Sequence, residues 1–131
     1  MILLDTHALV WLVAEPRRLS RAATAAIRAA RSAGGIGIAS ISLWEMAMLF
    51  GQGRLRARGT VDAAIREIVD AAGVVVKEIT PAIAALAAQL PAEFPRDPAD
   101  RLIGATARVE GLPLVTRAAG LRASPLLKTV W

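Results

Sequence analysis

Two hydrophobic patterns alternate along this chain: short unbroken apolar runs, and longer segments in which apolar positions recur at helical spacing. Met1 to Leu4 has no polar position at all, as in a parallel strand buried on both faces. Ile36 to Ala39, Val74 to Ile79, Leu112 to Thr116 and Lys128 to Val130 read as further strands. The segments between them carry helix signals. His7 to Ala14 has helical character and ends near Pro16. Ser20 is suited to cap Arg21 to Ser32, with Gly34-Gly35 closing that helix. Ser42 to Phe50 reads as a helix closed by Gly51, and Thr60 caps another through Ala72, before Gly73. Thr80-Pro81 and Asp97-Pro98 are helix starts, because proline suits the first helical position; the second of these helices runs to Gly111. Alternation with short connections predicts an α/β fold: a central, mostly parallel sheet of about five strands with helices on both faces.

Length and composition narrow this further. The 131 residues suffice for one domain spanning 1–131 with a real core, and neither a repeat nor a linker divides them. Although 55% of residues are hydrophobic, no run reaches the roughly 18 uncharged apolar residues of a membrane helix. The early Asp5 and the lack of a basic leader give no signal-peptide pattern, and the chain has no cysteine, so the expectation is a cytoplasmic protein without disulfides or thiolate metal sites. Sixteen Lys and Arg against eleven Asp and Glu give a net charge of +5, and only Lys77 and Lys128 are lysines. That balance suits a polyanionic partner, and equally the arginine- and alanine-rich usage of a GC-rich genome.

The candidate chemistry lies in the acids. Asp5 ends the first strand, Glu45 follows the apolar stretch from Ile36 to Ser42, and Asp97 and Asp100 open a helix. In an open parallel sheet ligands bind beyond the carboxyl ends of the strands, where strand order reverses. Acids gathered there suit a hard divalent cation. Each also has a structural role to offer. Ser42-Leu43-Trp44-Glu45 has the form of a capping box, Asp97 that of an N-cap, and Asp100 sits in a first turn favoured by the helix dipole. Asp5 tips the balance, since a carboxylate ending a buried strand is costly unless water, a donor or a cation meets it. Thr6 and Thr116 are placed to hydrogen-bond these acids or to satisfy local backbone.

Three segments carry a resemblance: Leu4-Asp5-Thr6-His7-Ala8-Leu9-Val10-Trp11-Leu12, Ser40-Ile41-Ser42-Leu43-Trp44-Glu45-Met46-Ala47, and Asp97-Pro98-Ala99-Asp100-Arg101-Leu102-Ile103-Gly104-Ala105-Thr106-Ala107, followed by Gly111-Leu112-Pro113-Leu114-Val115-Thr116. In this order and spacing the chain resembles the PIN-domain ribonucleases of the VapC toxin type over essentially its whole length. The resemblance implies an Mg²⁺- or Mn²⁺-dependent endoribonuclease, the toxin half of a toxin-antitoxin pair. Asp5, Glu45 and Asp100 then hold the metal, and Asp97 binds through water or caps its helix. The resemblance further implies a homodimer, an antitoxin segment seated in an apolar groove, and contact with DNA only through that antitoxin.

One departure stands out. Such proteins place an aspartate two residues beyond the threonine of the Leu-Val-Thr strand, whereas this chain has Thr116-Arg117-Ala118. Alanine cannot ligate a metal, so the activity is expected to be reduced or abolished, through an aspartate lost naturally or by engineering. Other positions offer weaker signals. His7 reads as a first-turn residue in a partly polar pocket. Trp11, Trp44 and their neighbours Leu12, Leu43, Met46, Met48 and Leu49 read as core stripes that the resemblance recasts as a partner groove; the apolar surface left over favours a homodimer. Arg54, Arg56, Arg58 and Arg101 are candidates for RNA phosphates. The alternative to an enzyme is a non-catalytic module that binds an antitoxin. A phosphoacceptor receiver fits less well, since the first strand ends without an adjacent acid pair.

Overall fold

The computed structural model describes residues 1–131 and contains one five-stranded sheet, all of whose pairings are parallel. The strands are β1 (Ile2–Leu4), β2 (Ile36–Ala39), β3 (Val75–Lys77), β4 (Leu114–Val115) and β5 (Thr129–Val130), in the spatial order β3-β2-β1-β4-β5. The helices are α1 (Thr6–Ala14), α2 (Arg21–Arg31), α3 (Ile41–Gly51), α4 (Val61–Ala72), α5 (Pro81–Gln89), α6 (Pro98–Glu110) and the single turn α7 (Ala119–Arg122), with a 3-10 turn at Pro16–Arg18. From β1 the chain builds outwards through β2 to β3, then returns across the sheet to lay β4 on the other side of β1. The strand order therefore reverses between β1 and β4. None of the helices is long and apolar enough to cross a membrane.

Side chains on the strands alternate between two apolar layers, as a period of two requires. Ile2, Leu4, Ile36, Ile38 and Val115 pack with Leu9, Trp11 and Ile27 on one face, while Leu3, Ala39 and Leu114 pack with Phe94, Ile103 and Leu121 on the other. The capping signals were legible: Ser20, Thr60, Thr80 and Asp97 each accept a hydrogen bond from the first turn of their helix, and Gly73 and Gly111 end α4 and α6 with left-handed backbone. The Ser42–Glu45 capping box does not form. Helix α3 begins at Ile41, and Ser42 is fully buried inside its first turn, facing Thr6. Gly51 belongs to the helix instead of closing it, and the positive φ falls at Gly53. The third and fourth strands are also shorter than their apolar runs, because Ile79 and Leu112 lie beyond the pairing.

Candidate active site

Asp5 ends β1 and caps α1, and both of its oxygens are engaged. Oδ1 accepts from the Ala8 amide at 2.8 Å and Oδ2 from the Thr116 hydroxyl at 2.5 Å. Thr116 directly follows β4, so this second bond spans the point of strand reversal, and its oxygen also accepts from the Ala118 amide at 3.0 Å. Burial raises the Asp5 carboxyl above the usual aspartate value, and these hydrogen bonds only partly oppose it. Ionised, this group is held ready for a cation.

Glu45 is positioned by Thr6. The Thr6 hydroxyl lies 2.5 Å from Glu45 Oε1 and 2.8 Å from Ser42 Oγ. Thr6 has one proton, which goes to the carboxylate, so the Ser42 hydroxyl supplies the proton of the other contact. Desolvation by burial raises the Glu45 carboxyl, the Thr6 bond lowers it, and the charges of Asp97 and Asp5 raise it again. Asp97 is exposed at the start of α6 and accepts from the Asp100 amide at 3.1 Å. The capping expected of it is thus present. Asp100, one turn in, is pushed up to about 6, first by burial and then by the charges of Asp97, Glu45 and Asp5.

These acids therefore share one electrostatic neighbourhood, but they do not line one cavity as the sequence led us to expect. Asp5, His7, Trp11, Arg18, Arg54, Arg117 and Ala118 surround a cavity of about 400 Å³. Thr6, His7, Trp44, Glu45, Met48, Leu49, Gln52, Arg54, Asp97 and Ala99 surround another of about 210 Å³. The two adjoin, because His7 and Arg54 border both; Asp100 borders neither. As the side chains stand, no three acids or histidines are close enough to enclose one ion. Mg²⁺, however, keeps several waters and needs only one or two carboxylates plus a substrate phosphate. All-oxygen donors that repel one another fit such an ion. A third cavity, of about 370 Å³, lies by Gly111–Pro113 and Pro125–Lys128 before β4 and β5 begin, and no carboxylate lines it.

The remaining candidates separate. Arg54 faces the site, whereas Arg56 and Arg58 are exposed and border neither adjoining cavity. Arg101 is removed from the RNA-binding set: its guanidinium donates to the Ala87, Leu90 and Pro91 carbonyls and ties off the end of α5. Trp11 is core, 8% exposed, but Trp44 is 56% exposed and Met48 39%, so the α3 stripe is not wholly internal. His7 is an exposed first-turn residue, as read. Sequence reasoning missed Arg18 and Arg117, which both lie close to the Trp11 ring and line the cavity that Asp5 borders. No local pattern links residues that far apart in the chain.

Residues 2–123 match the family model of the PIN domain. Ribonuclease VapC22 of Mycobacterium tuberculosis is 42% identical over 132 aligned positions, covering 99% of this chain and 98% of that protein. The crystal structure of VapBC2 from Rickettsia felis bound to a promoter DNA fragment shares the fold, with a TM-score of 0.72, 17% identity and coverage of 98% of this chain and 97% of that one. DNA-bound VapBC from Salmonella typhimurium is similar at a TM-score of 0.72, 20% identity and the same coverage. A family model over nearly the whole chain and a relative of this identity lead to one assignment: the chain belongs to the PIN domain family, among the VapC ribonucleases.

Proposed function

We propose that this chain is an endoribonuclease toxin that uses Mg²⁺ or Mn²⁺ and is neutralised by a cognate antitoxin. The observation that carries the reading is the pair of adjoining cavities at the strand-order reversal, one lined by Asp5 and the other by Glu45 and Asp97, with Asp100 near enough to be pushed up to about 6 by burial and by their charges. Crowded carboxylates at a strand-order reversal are relieved by a cation. Asp5, Glu45 and Asp100 would hold it, with Asp97 at the rim. When bound, the cation supplies charge neutralisation at the phosphate and a more acidic attacking water. The chain's own part is positioning. Ala8 and Thr116 fix Asp5, Thr6 fixes Glu45 with Ser42 behind it, and Asp97 organises the turn that carries Asp100. The relative at 42% identity is named a ribonuclease, and structural neighbours are toxin-antitoxin complexes. Exposed Trp44 and Met48, beside Glu45, are an apolar rim for an antitoxin segment.

Ala118 favours a second reading, a binding module that retains the antitoxin surface but cleaves poorly. Incubation of the purified protein with single-stranded RNA, in Mn²⁺ or Mg²⁺ and in EDTA, decides between them. Cleavage that EDTA abolishes and Asp5→Asn removes is the expected result. A folded protein that neither binds Mn²⁺ by calorimetry nor cuts RNA, with Ala118→Asp restoring neither, is the binding module.

A further inference from the structure

The larger cavity carries a cluster that cation binding does not use. Arg18 comes from the 3-10 turn after α1, Arg54 from the loop after α3, and Arg117 from the loop after β4. Three distant segments thus bring guanidinium groups to one space. Trp11 stations two of them: the Arg18 Cζ lies 4.5 Å from the centre of its ring and the Arg117 Cζ 5.9 Å. Both fall within the range of about 6 Å for a cation over an aromatic face. The tryptophan is itself fixed, nearly buried and packed at tilted angles against His7 and Trp131, with ring centres 5.7 and 5.8 Å away. Side chains held this way lose less freedom when they bind.

The charge in this space is not neutralised from within. The ion pairs of the chain are Arg18–Glu15, Arg66–Asp62 and Lys77–Glu110, which leaves Arg54 and Arg117 without one. The Arg18–Glu15 pair is 3.8 Å long between side chains 48% and 61% exposed, a weak interaction in water. Asp5 is the one carboxylate lining the cavity, and both of its oxygens already accept hydrogen bonds. Ala118, beside Arg117, adds no charge. Arg56 and Arg58 point to no cavity of the site and add only a solvated field.

We propose that Arg18, Arg54 and Arg117 form an oxyanion subsite for a backbone phosphate of single-stranded RNA, next to the phosphate that meets the carboxylates. The choice of polymer rests on the ribonuclease reading. Guanidinium forks match phosphate oxygens in pairs, and arginine is weakly hydrated enough to give up its water for them. Continuity through His7 and Arg54 lets one strand run from this subsite to Glu45 and Asp97.

The test is fluorescence anisotropy of a fluorescein-labelled single-stranded RNA oligomer in EDTA, titrated at several salt concentrations. Arg18→Ala and Arg117→Ala should each weaken binding roughly three- to tenfold and flatten the logarithmic salt slope by about 0.7, the value for one phosphate contact on a single strand. Arg117→Lys should fall between, since it keeps the charge without the fork. Arg66→Ala, remote and paired with Asp62, serves as the control. Both alanine variants are at exposed positions, and circular dichroism checks that they fold. Unchanged affinity and slope in both would overturn the subsite, as would a polyglutamate peptide that depends on these arginines while the RNA does not. Arginine-dependent RNA binding without metal-dependent cleavage, in Ala118→Asp as in the wild type, leaves the subsite standing and removes the ribonuclease reading. Cleavage with arginine-independent binding does the reverse.

Discussion

Thr116 and Asp5, separated by 111 positions in sequence, are joined by a hydrogen bond of 2.5 Å that closes the end of β4 onto the end of β1. The bond lies where the strand order reverses, the place in an open parallel sheet where the loops part and leave a crevice. It fixes the orientation of the first acid of the site, so its loss should be felt in cation affinity before it is felt in the fold.

Thr116→Val keeps the shape and removes the donor. Oδ2 of Asp5 and the Ala118 amide both lose a partner. Groups that orient ligands to a metal typically cost about 10–100-fold in affinity or activity when removed, and that loss is expected for Mn²⁺ binding by calorimetry. The buried orphaned groups should also cost about 1–3 kcal/mol of stability. Wild-type Mn²⁺ affinity in this variant would detach Thr116 from the site.

Asp100 gives the protein a defined pH response. Its carboxyl moves from 3.8 to about 6 on folding, so between those values the folded state holds more protons than the unfolded one. Stability of the metal-free protein should therefore fall as pH rises from about 4 to 6, and the raised carboxyls of Asp5 and Glu45 act in the same direction. Cation binding runs the other way, because protons and the cation compete for the same oxygens; affinity should rise as pH passes about 6. Asp100→Asn should remove much of the stability change, make the metal-free protein more stable at neutral pH, and weaken Mn²⁺ binding. Thermal melts at pH 4.5 and 7.5 with EDTA measure the first effect. Identical pH profiles for variant and wild type would exclude Asp100 as their source.

Gly104 lets α6 lie against Phe94. A Cβ built there would fall 2.5 Å from Phe94 Cζ, inside a core where Phe94 is nearly buried. Gly104→Ala should cost about 1–3 kcal/mol through overpacking, in spite of the better helix propensity of alanine. Chemical denaturation measures it, and Gly104→Ala combined with Phe94→Leu should recover part of the loss.

What was readable in advance followed from range. The strand β1, the caps at Ser20, Thr60, Thr80 and Asp97, and the placement of Asp5 depend on neighbouring residues, and local pattern revealed them. The Ser42–Glu45 box failed because its two members answer to Thr6, which arrives from 36 and 39 positions away. Arg101 was misread for the same reason: its partners, on α5 and the turn beyond, are tertiary ones. The turn α7 and the 3-10 turn, of four and three residues, are too short for a hydrophobic pattern to repeat. The grouping of Arg18 and Arg117 on Trp11 needs three segments to meet, and only the fold brings them together.

Position 118 separates charge from shape. Ala118 borders the same cavity as Asp5 and occupies the cap position of α7, with extended backbone (φ −62, ψ 118) and no side chain to satisfy the amides of that turn. Aspartate and asparagine are equally good caps, so either should stabilise α7, by about 0.5–2 kcal/mol. Only aspartate adds a carboxylate beside Asp5, and only in its case should that gain be offset by repulsion in the metal-free protein. Ala118→Asp should therefore strengthen Mn²⁺ binding and raise metal-dependent RNA cleavage, and should become toxic on expression without antitoxin. Ala118→Asn should stabilise without doing either. Cleavage rising equally in the two variants would mean that ordering of α7 limits the activity, whereas cleavage rising in neither, with both folded and Mn²⁺ present, would leave the protein as an antitoxin-binding module.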